Sequence, residues 1–146
     1  MKSILIALLA ATTFWHANAT EATWLTDSAK AQTKAKAENK IVLMDFTGSD
    51  WCGWCIKFKK DVLDTKEFQE YAATNLVLVE VDFPRSKEIA AELKKGNAGL
   101  QQKYKVDGFP TFVILNQDGK EIGRQVGYLK GGPKAFIEML EKLKKG

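Results

Sequence analysis

Histidine is almost absent from this chain. His16 is its only one, beside just two cysteines, Cys52 and Cys55. A zinc site of four cysteines, or of two cysteines and two histidines, is therefore excluded within one chain. Haem attachment needs histidine directly after the second cysteine of a C-x-x-C pair, and Ile56 stands there. No metal and no cofactor is expected. Arginine is nearly as scarce, with only Arg85 and Arg124. Nucleic-acid binding draws on clustered arginine with interleaved aromatics, so no nucleic-acid partner is expected. The net charge of +4 comes mostly from lysines spaced along solvated helix faces, such as Lys30, Lys34 and Lys36, or Lys142, Lys144 and Lys145. Repeats and low-complexity tracts are absent too. With 45% apolar and 27% charged residues in 146, the chain has the makings of one domain with a substantial core.

The N-terminus reads differently from the rest. Lys2 gives a positive start, Ile4 to Ala11 is an unbroken apolar run, and Ala17-Asn18-Ala19 offers small residues at both positions a signal peptidase reads. The run is much shorter than the roughly 20 residues a membrane-spanning helix needs. Residues 1–19 are expected to be a signal peptide cleaved after Ala19. Residues 20–146 then form the exported domain, periplasmic in a two-membrane bacterium and secreted otherwise.

Within that domain, Thr26 or Asp27 can cap a first helix running to about Glu38. "KIVLMDF" (Lys40 to Phe46) and "LVLVEVDF" (Leu76 to Phe83) are nearly continuous apolar runs, the pattern of strands buried on both faces. Between them a helix starts at or beside Cys52, with Cys55, Phe58 and Val62 on one face and Ile56 and Leu63 alongside. Thr65 caps a second helical piece. A further helix is expected from Ser86 to about Tyr104, with a break possible at "GNAG". Thr111–Leu115 and Glu121–Val126 form a hairpin around Asn116-Gln117-Asp118-Gly119. Gly132-Pro133 opens a last amphipathic helix. The fold class is α/β: one mixed sheet of about four strands with helices on both faces.

A C-x-x-C at the mouth of a helix that follows a buried strand has a specific chemistry. Cys52 sits where unsatisfied backbone N–H groups and the helix dipole favour negative charge, which lowers its pKa. Cys55 follows one turn later, close enough to close a small disulfide ring. Cys52 can attack a partner's disulfide and Cys55 can resolve the mixed disulfide. A static cross-link over so short a loop stabilises little. Gly53 leaves space over Cys52 for an incoming chain. Trp51 and Trp54 flank the pair as an apolar platform for a protein substrate, core packing being the other use of such side chains.

"MDFTGSDWCGWC", followed later by "GFPT" and a closing hairpin and helix, resembles the thioredoxin-like superfamily, in particular exported members with a "DFTGSDWCxWC"-type site. The similarity runs from about Trp24 to the C-terminus. It implies a thioredoxin-like fold and thiol–disulfide exchange, with Cys52 as nucleophile and Cys55 as resolving thiol. It also implies a cis peptide bond before Pro110, with the backbone at Phe109 pairing with an extended substrate chain. Asp45 matches the family's buried acid, placed to accept the Cys55 proton. The loop from Asp45 to Cys52 is one residue longer than in thioredoxin.

The Gly-Trp dipeptide between the cysteines departs from the Gly-Pro of thioredoxin and from relatives with histidine there. Without an imidazolium beside it, Cys52 is expected to belong to a reducing or isomerising protein. Such a protein acts on disulfides or thiols of other proteins and draws electrons from a membrane partner. Two alternatives stay open: a disulfide oxidase, and a binding or assembly module whose C-x-x-C is silent.

Overall fold

The computed structural model of the chain describes residues 21–146. The signal peptide expected over residues 1–19 lies outside the described residues. Helix α1 (Ser28–Glu38) starts where Asp27 Oδ1 accepts the backbone N–H groups of Ala29 and Lys30, each at 3.0 Å. It ends at Asn39, whose φ of 54° is left-handed. Its buried side chains, Ala31 and Ala35, are small enough to bring the helix close to the sheet.

Strand β2 (Ile41–Thr47) is buried along its whole length and pairs in parallel with β3 (Leu76–Asp82), from Ile41↔Leu76 to Thr47↔Asp82. The crossover between them holds α2 (Gly53–Phe58), a π-helical turn (Lys59–Leu63) and α3 (Lys66–Asn75). Thr65 caps α3, its Oγ1 accepting the Phe68 N–H at 3.3 Å. On the other side of β2, β4 (Thr111–Leu115) runs antiparallel and is followed by β5 (Glu121–Val126). Helix α5 (Gly132–Lys145) closes the chain.

With Trp24–Leu25 as β1, the sheet has five strands rather than four, in the order β1-β3-β2-β4-β5. The addition is β1, only Trp24 and Leu25, lying parallel to β3 at Leu78 and Val79. Alternation along the strands sends Leu43, Leu78, Phe112 and Ile114 to one face, against Phe58, Phe68, Phe136 and Leu140. It sends Val42, Met44, Phe46 and Val79 to the other, against Ala31, Ala35 and Tyr104. Phe58 lies 4.7 Å from Phe112 and 5.1 Å from Phe136, centroid to centroid. Each fully buried phenylalanine contributes about 2–3 kcal/mol of transfer free energy.

Helix α4 covers Ala91–Lys103, starting five residues later than the Ser86 expected and running unbroken through Gly96 and Gly99. Both differences trace to side chains elsewhere. The N–H groups of Arg85, Ser86 and Lys87 are taken by the Asp50 carboxylate, which holds that segment out of helical geometry. Between the two glycines, buried Asn97 donates from Nδ2 to the Asp82 carbonyl at 2.9 Å and pins α4 to the end of β3.

Candidate active site

The central strand delivers the chain to the site. Beyond Thr47 the backbone leaves the sheet, and the Cys52 N–H donates to the Gly48 carbonyl at 2.9 Å, closing a tight loop. Cys52 is extended (φ −82°, ψ 101°) and caps α2, its Sγ accepting the Cys55 N–H at 3.2 Å. The two cysteines form a disulfide with Cα atoms 5.2 Å apart. Both are buried, in contrast to Trp51 at 37% and Trp54 at 60% exposure. A Cβ built on Gly53 meets nothing within 4 Å, so the approach on that side is open. Of the apolar face expected on this helix, Cys55, Phe58, Val62 and Leu63 are buried, whereas Ile56 is 49% exposed beside the site.

Trp51 is fixed, not free. Its Nε1 donates to the Phe83 carbonyl at 2.7 Å, and the Arg85 guanidinium stacks 3.8 Å above its ring. Its other flank meets Phe109 at 6.0 Å, and Phe109 stacks on Phe83 at 5.1 Å. The end of β3 and the segment after it are bound to the cysteine loop at two further points. Asp82 accepts the Ser49 N–H at 2.9 Å and the Ser49 Oγ–H at 2.6 Å. Asp50 accepts three successive N–H groups from Arg85 to Lys87, and these bonds hold its carboxyl below the usual carboxylate range. Ser49, Asp50, Asp82 and Arg85 thus form a clamp that the sequence reading did not identify. Polar residues packed between a buried strand and a tryptophan were the available signal. Their partners lie 33 to 37 residues away.

The Phe109–Pro110 peptide bond is cis. Pro110 is buried, and its carbonyl accepts the Gly127 N–H at 2.8 Å, tying this loop to the end of β5. The next residue, Tyr128, packs 5.4 Å from Trp54 and donates its hydroxyl to Asp61 Oδ2 at 2.7 Å. Lys57 Nζ donates to the same oxygen at 2.6 Å, and these two donors lower the Asp61 pKa. Tyr128 therefore shores up Trp54 as Arg85 shores up Trp51, and neither supporting residue was singled out in the sequence.

Beneath the dithiol, a cleft of ≈ 320 Å³ is lined by Asp45, Thr47, Ser49, Cys55, Lys59 and Glu80, with Trp24, Ile56 and Leu63 completing its walls. Asp45 is only 8% exposed and its Oδ1 has no hydrogen-bond partner among the described residues. Burial is the main cause that pushes its pKa from 3.8 up to about 8, with Glu80 and Asp82 adding to it and Lys59 opposing. A carboxyl with that affinity is matched to a thiol, whose ordinary pKa is about 8.5.

The model of the thioredoxin-like domain matches residues 28–144. The chain is 38% identical over 113 residues to the disulfide bond reductase DsbH of Chlamydia pneumoniae, covering 77% of this chain and 68% of that protein. It is 31% identical over 115 residues to the thiol:disulfide interchange protein DsbD of Pasteurella multocida, where the match spans 77% of this chain but only 18% of the relative. Among solved structures, a DsbH oxidoreductase superposes with a TM-score of 0.82 at 32% identity over 95% of both chains. With its cysteine pair at the start of α2, this chain belongs to the thioredoxin-like family of disulfide oxidoreductases.

Proposed function

We propose that the protein is an exported thiol–disulfide oxidoreductase that reduces or isomerises protein disulfides through Cys52 and Cys55. The observation that carries this is the capping geometry of Cys52, whose sulfur faces the Cys55 N–H at the start of α2. In the reduced protein, the Cys52 thiolate attacks one sulfur of a substrate disulfide, and the departing sulfur takes a proton from solvent. Cys55 then gives its proton to Asp45 Oδ1, and the resulting thiolate attacks Cys52 Sγ. The second substrate sulfur leaves as a thiolate, and the protein keeps the disulfide. Two electrons from a donor dithiol, on a membrane partner, restore the reduced pair.

The substrate chain lies extended beside Phe109 and Pro110, its backbone bonding at Phe109. Trp51 and Trp54 flank it, and Gly53 leaves the approach clear. The reducing direction is favoured because the residues between the cysteines, Gly53 and Trp54, supply no imidazolium to stabilise the Cys52 thiolate, and because the relative from Chlamydia pneumoniae is itself named a disulfide bond reductase. Export rests on the leader pattern ending at Ala19.

The protein lacking residues 1–19, equilibrated with glutathione buffers, is expected to show a reduction potential nearer thioredoxin's, about −270 mV, than the about −120 mV of a disulfide donor. It is expected to catalyse insulin reduction, and Cys52→Ser to bring the rate to background. A potential near the donor value would reverse the direction. Insulin reduction that survives Cys52→Ser would remove the dithiol from the mechanism.

A further inference from the structure

The acid beneath the dithiol does not stand alone. Asp45 on β2 and Glu80 on β3 are register partners in a parallel pair, so both side chains rise from the same face of the sheet. Neighbouring strands lie about 4.8 Å apart. On the other side of Asp45 the register partner is Phe112, which is apolar and fully buried. The charged groups that act on Asp45 are Glu80 and Asp82 of β3 and Lys59 of the π-helical turn. Asp82 is already bound to Ser49 and lies 3.8 Å from Lys87. Lys59 is paired with Asp64. Glu80 makes no hydrogen bond or ion pair among the described residues, is half-buried, and lines the same cleft as Asp45 and Cys55. It is also the one acid inside the apolar run of β3.

Resolution leaves a proton on Asp45, which must depart before the next turnover. Asp45 is nearly sealed, and its Oδ1 faces no partner. The cleft, at ≈ 320 Å³, is far larger than the about 10–15 Å³ one water requires. We infer that Glu80 is the positioning residue for the acid: standing beside Asp45 on the neighbouring strand and lining the same cleft, its carboxylate takes the proton that resolution leaves on Asp45 and passes it on toward solvent. The step balances simply, because the proton passes from the Asp45 carboxyl to the Glu80 carboxylate, directly or over one water, and then to bulk. No electrons move. The inference rests on Asp45 receiving the Cys55 proton, as proposed above.

Two measurements on the oxidised and reduced protein test it. Carboxyl-carbon NMR follows the titration of Asp45 in the wild type, Glu80→Gln, Glu80→Asp and Lys59→Met. Rapid mixing follows the pH profile of mixed-disulfide resolution in the same variants. Glu80→Gln is expected to lower the Asp45 midpoint by about one pH unit, with Glu80→Asp restoring most of it and Lys59→Met moving it upward. The midpoint of the resolution profile is expected to move with it. An Asp45 midpoint that stays put in folded Glu80→Gln overturns the inference and leaves the proposed function intact. A midpoint that moves while the rate profile does not overturns the proton route. A wild type that titrates as expected but performs no disulfide exchange sinks the proposed function instead, with the coupling of the two acids upheld.

Discussion

Replacing Asp45 by asparagine should stabilise the protein, and by more as the pH rises. In the unfolded chain the carboxyl ionises near 3.8, whereas in the folded protein burial holds the proton until about 8. Between those values the folded state binds a proton that the unfolded state has released, so unfolding becomes easier as pH rises. The favourable linkage is complete below 3.8 and is lost progressively up to about 8. At about 1.36 kcal/mol per pH unit, the wild type should lose about 4 kcal/mol between pH 5 and pH 8 through this one group. Asparagine has nearly the same shape and no charge to desolvate. Urea unfolding of both oxidised proteins at pH 5 and pH 8 isolates the effect, since titrations uncoupled from Asp45 are common to them and cancel in the difference. The stability difference should shift by about 4 kcal/mol in favour of Asp45→Asn at the higher pH. Curves that stay parallel to within about 0.5 kcal/mol, close to the error of such extrapolations, would refute the buried, proton-holding carboxyl.

The clamp around Trp51 makes two further claims. Gly48 lies under the indole, and an added Cβ would fall 2.5 Å from Trp51 Cε2. Gly48→Ala should cost about 1–3 kcal/mol and red-shift tryptophan emission as the ring leaves its place on Phe83 and Arg85. Unchanged emission would mean the ring was never held there. Asp50→Ala should speed amide exchange at Arg85, Ser86 and Lys87 by about tenfold or more, because their acceptor is gone. The Asp50 pKa is depressed in the folded state, so in the wild type this tether persists above 3.8 and fails as pH falls through the lowered value. Exchange at the three amides that matches wild type in the variant would dismiss the tether.

What the sequence made legible followed from its strong periodic signals. The apolar runs of β2 and β3 and the hairpin around Asn116 to Gly119 carry their pattern within a few residues, as do the caps at Asp27 and Thr65. Those elements lie where the pattern puts them. Strand β1 is two residues long and has no period to read. The late start of α4 was hidden because Asp50, 35 to 37 residues upstream, decides it. The same holds for the site. Cys52, Cys55, Trp51, Phe109 and Asp45 could be singled out by motif, whereas Arg85 and Tyr128 are defined by what they lean on. Glu80 also went unread, although it left a trace. A charged residue inside "LVLVEVDF" breaks an otherwise buried run, and its register with Asp45 gives that break a use.

In the proposed mechanism, stability and turnover pull against each other through one proton. There the resolving step needs Asp45 ionised, so its rate should climb as pH approaches about 8. Over that same interval the folded state loses the linkage free energy described above. The conflict is confined to the end of β2, where the strand has already contributed Leu43 to one core and Val42, Met44 and Phe46 to the other. An ionisable group placed at Leu43 would have disturbed the packing against Phe58 and Phe136, whereas at position 45 it lines the cleft under Cys55. Asp45→Asn should therefore separate the two properties, with a more stable protein at pH 8 whose resolution rate no longer rises with pH. A variant that gained stability and kept the pH-dependent rate would show that the carboxyl costs stability without serving the chemistry. The proton acceptor for Cys55 would then have to be sought elsewhere in the cleft, with Glu80 first in line.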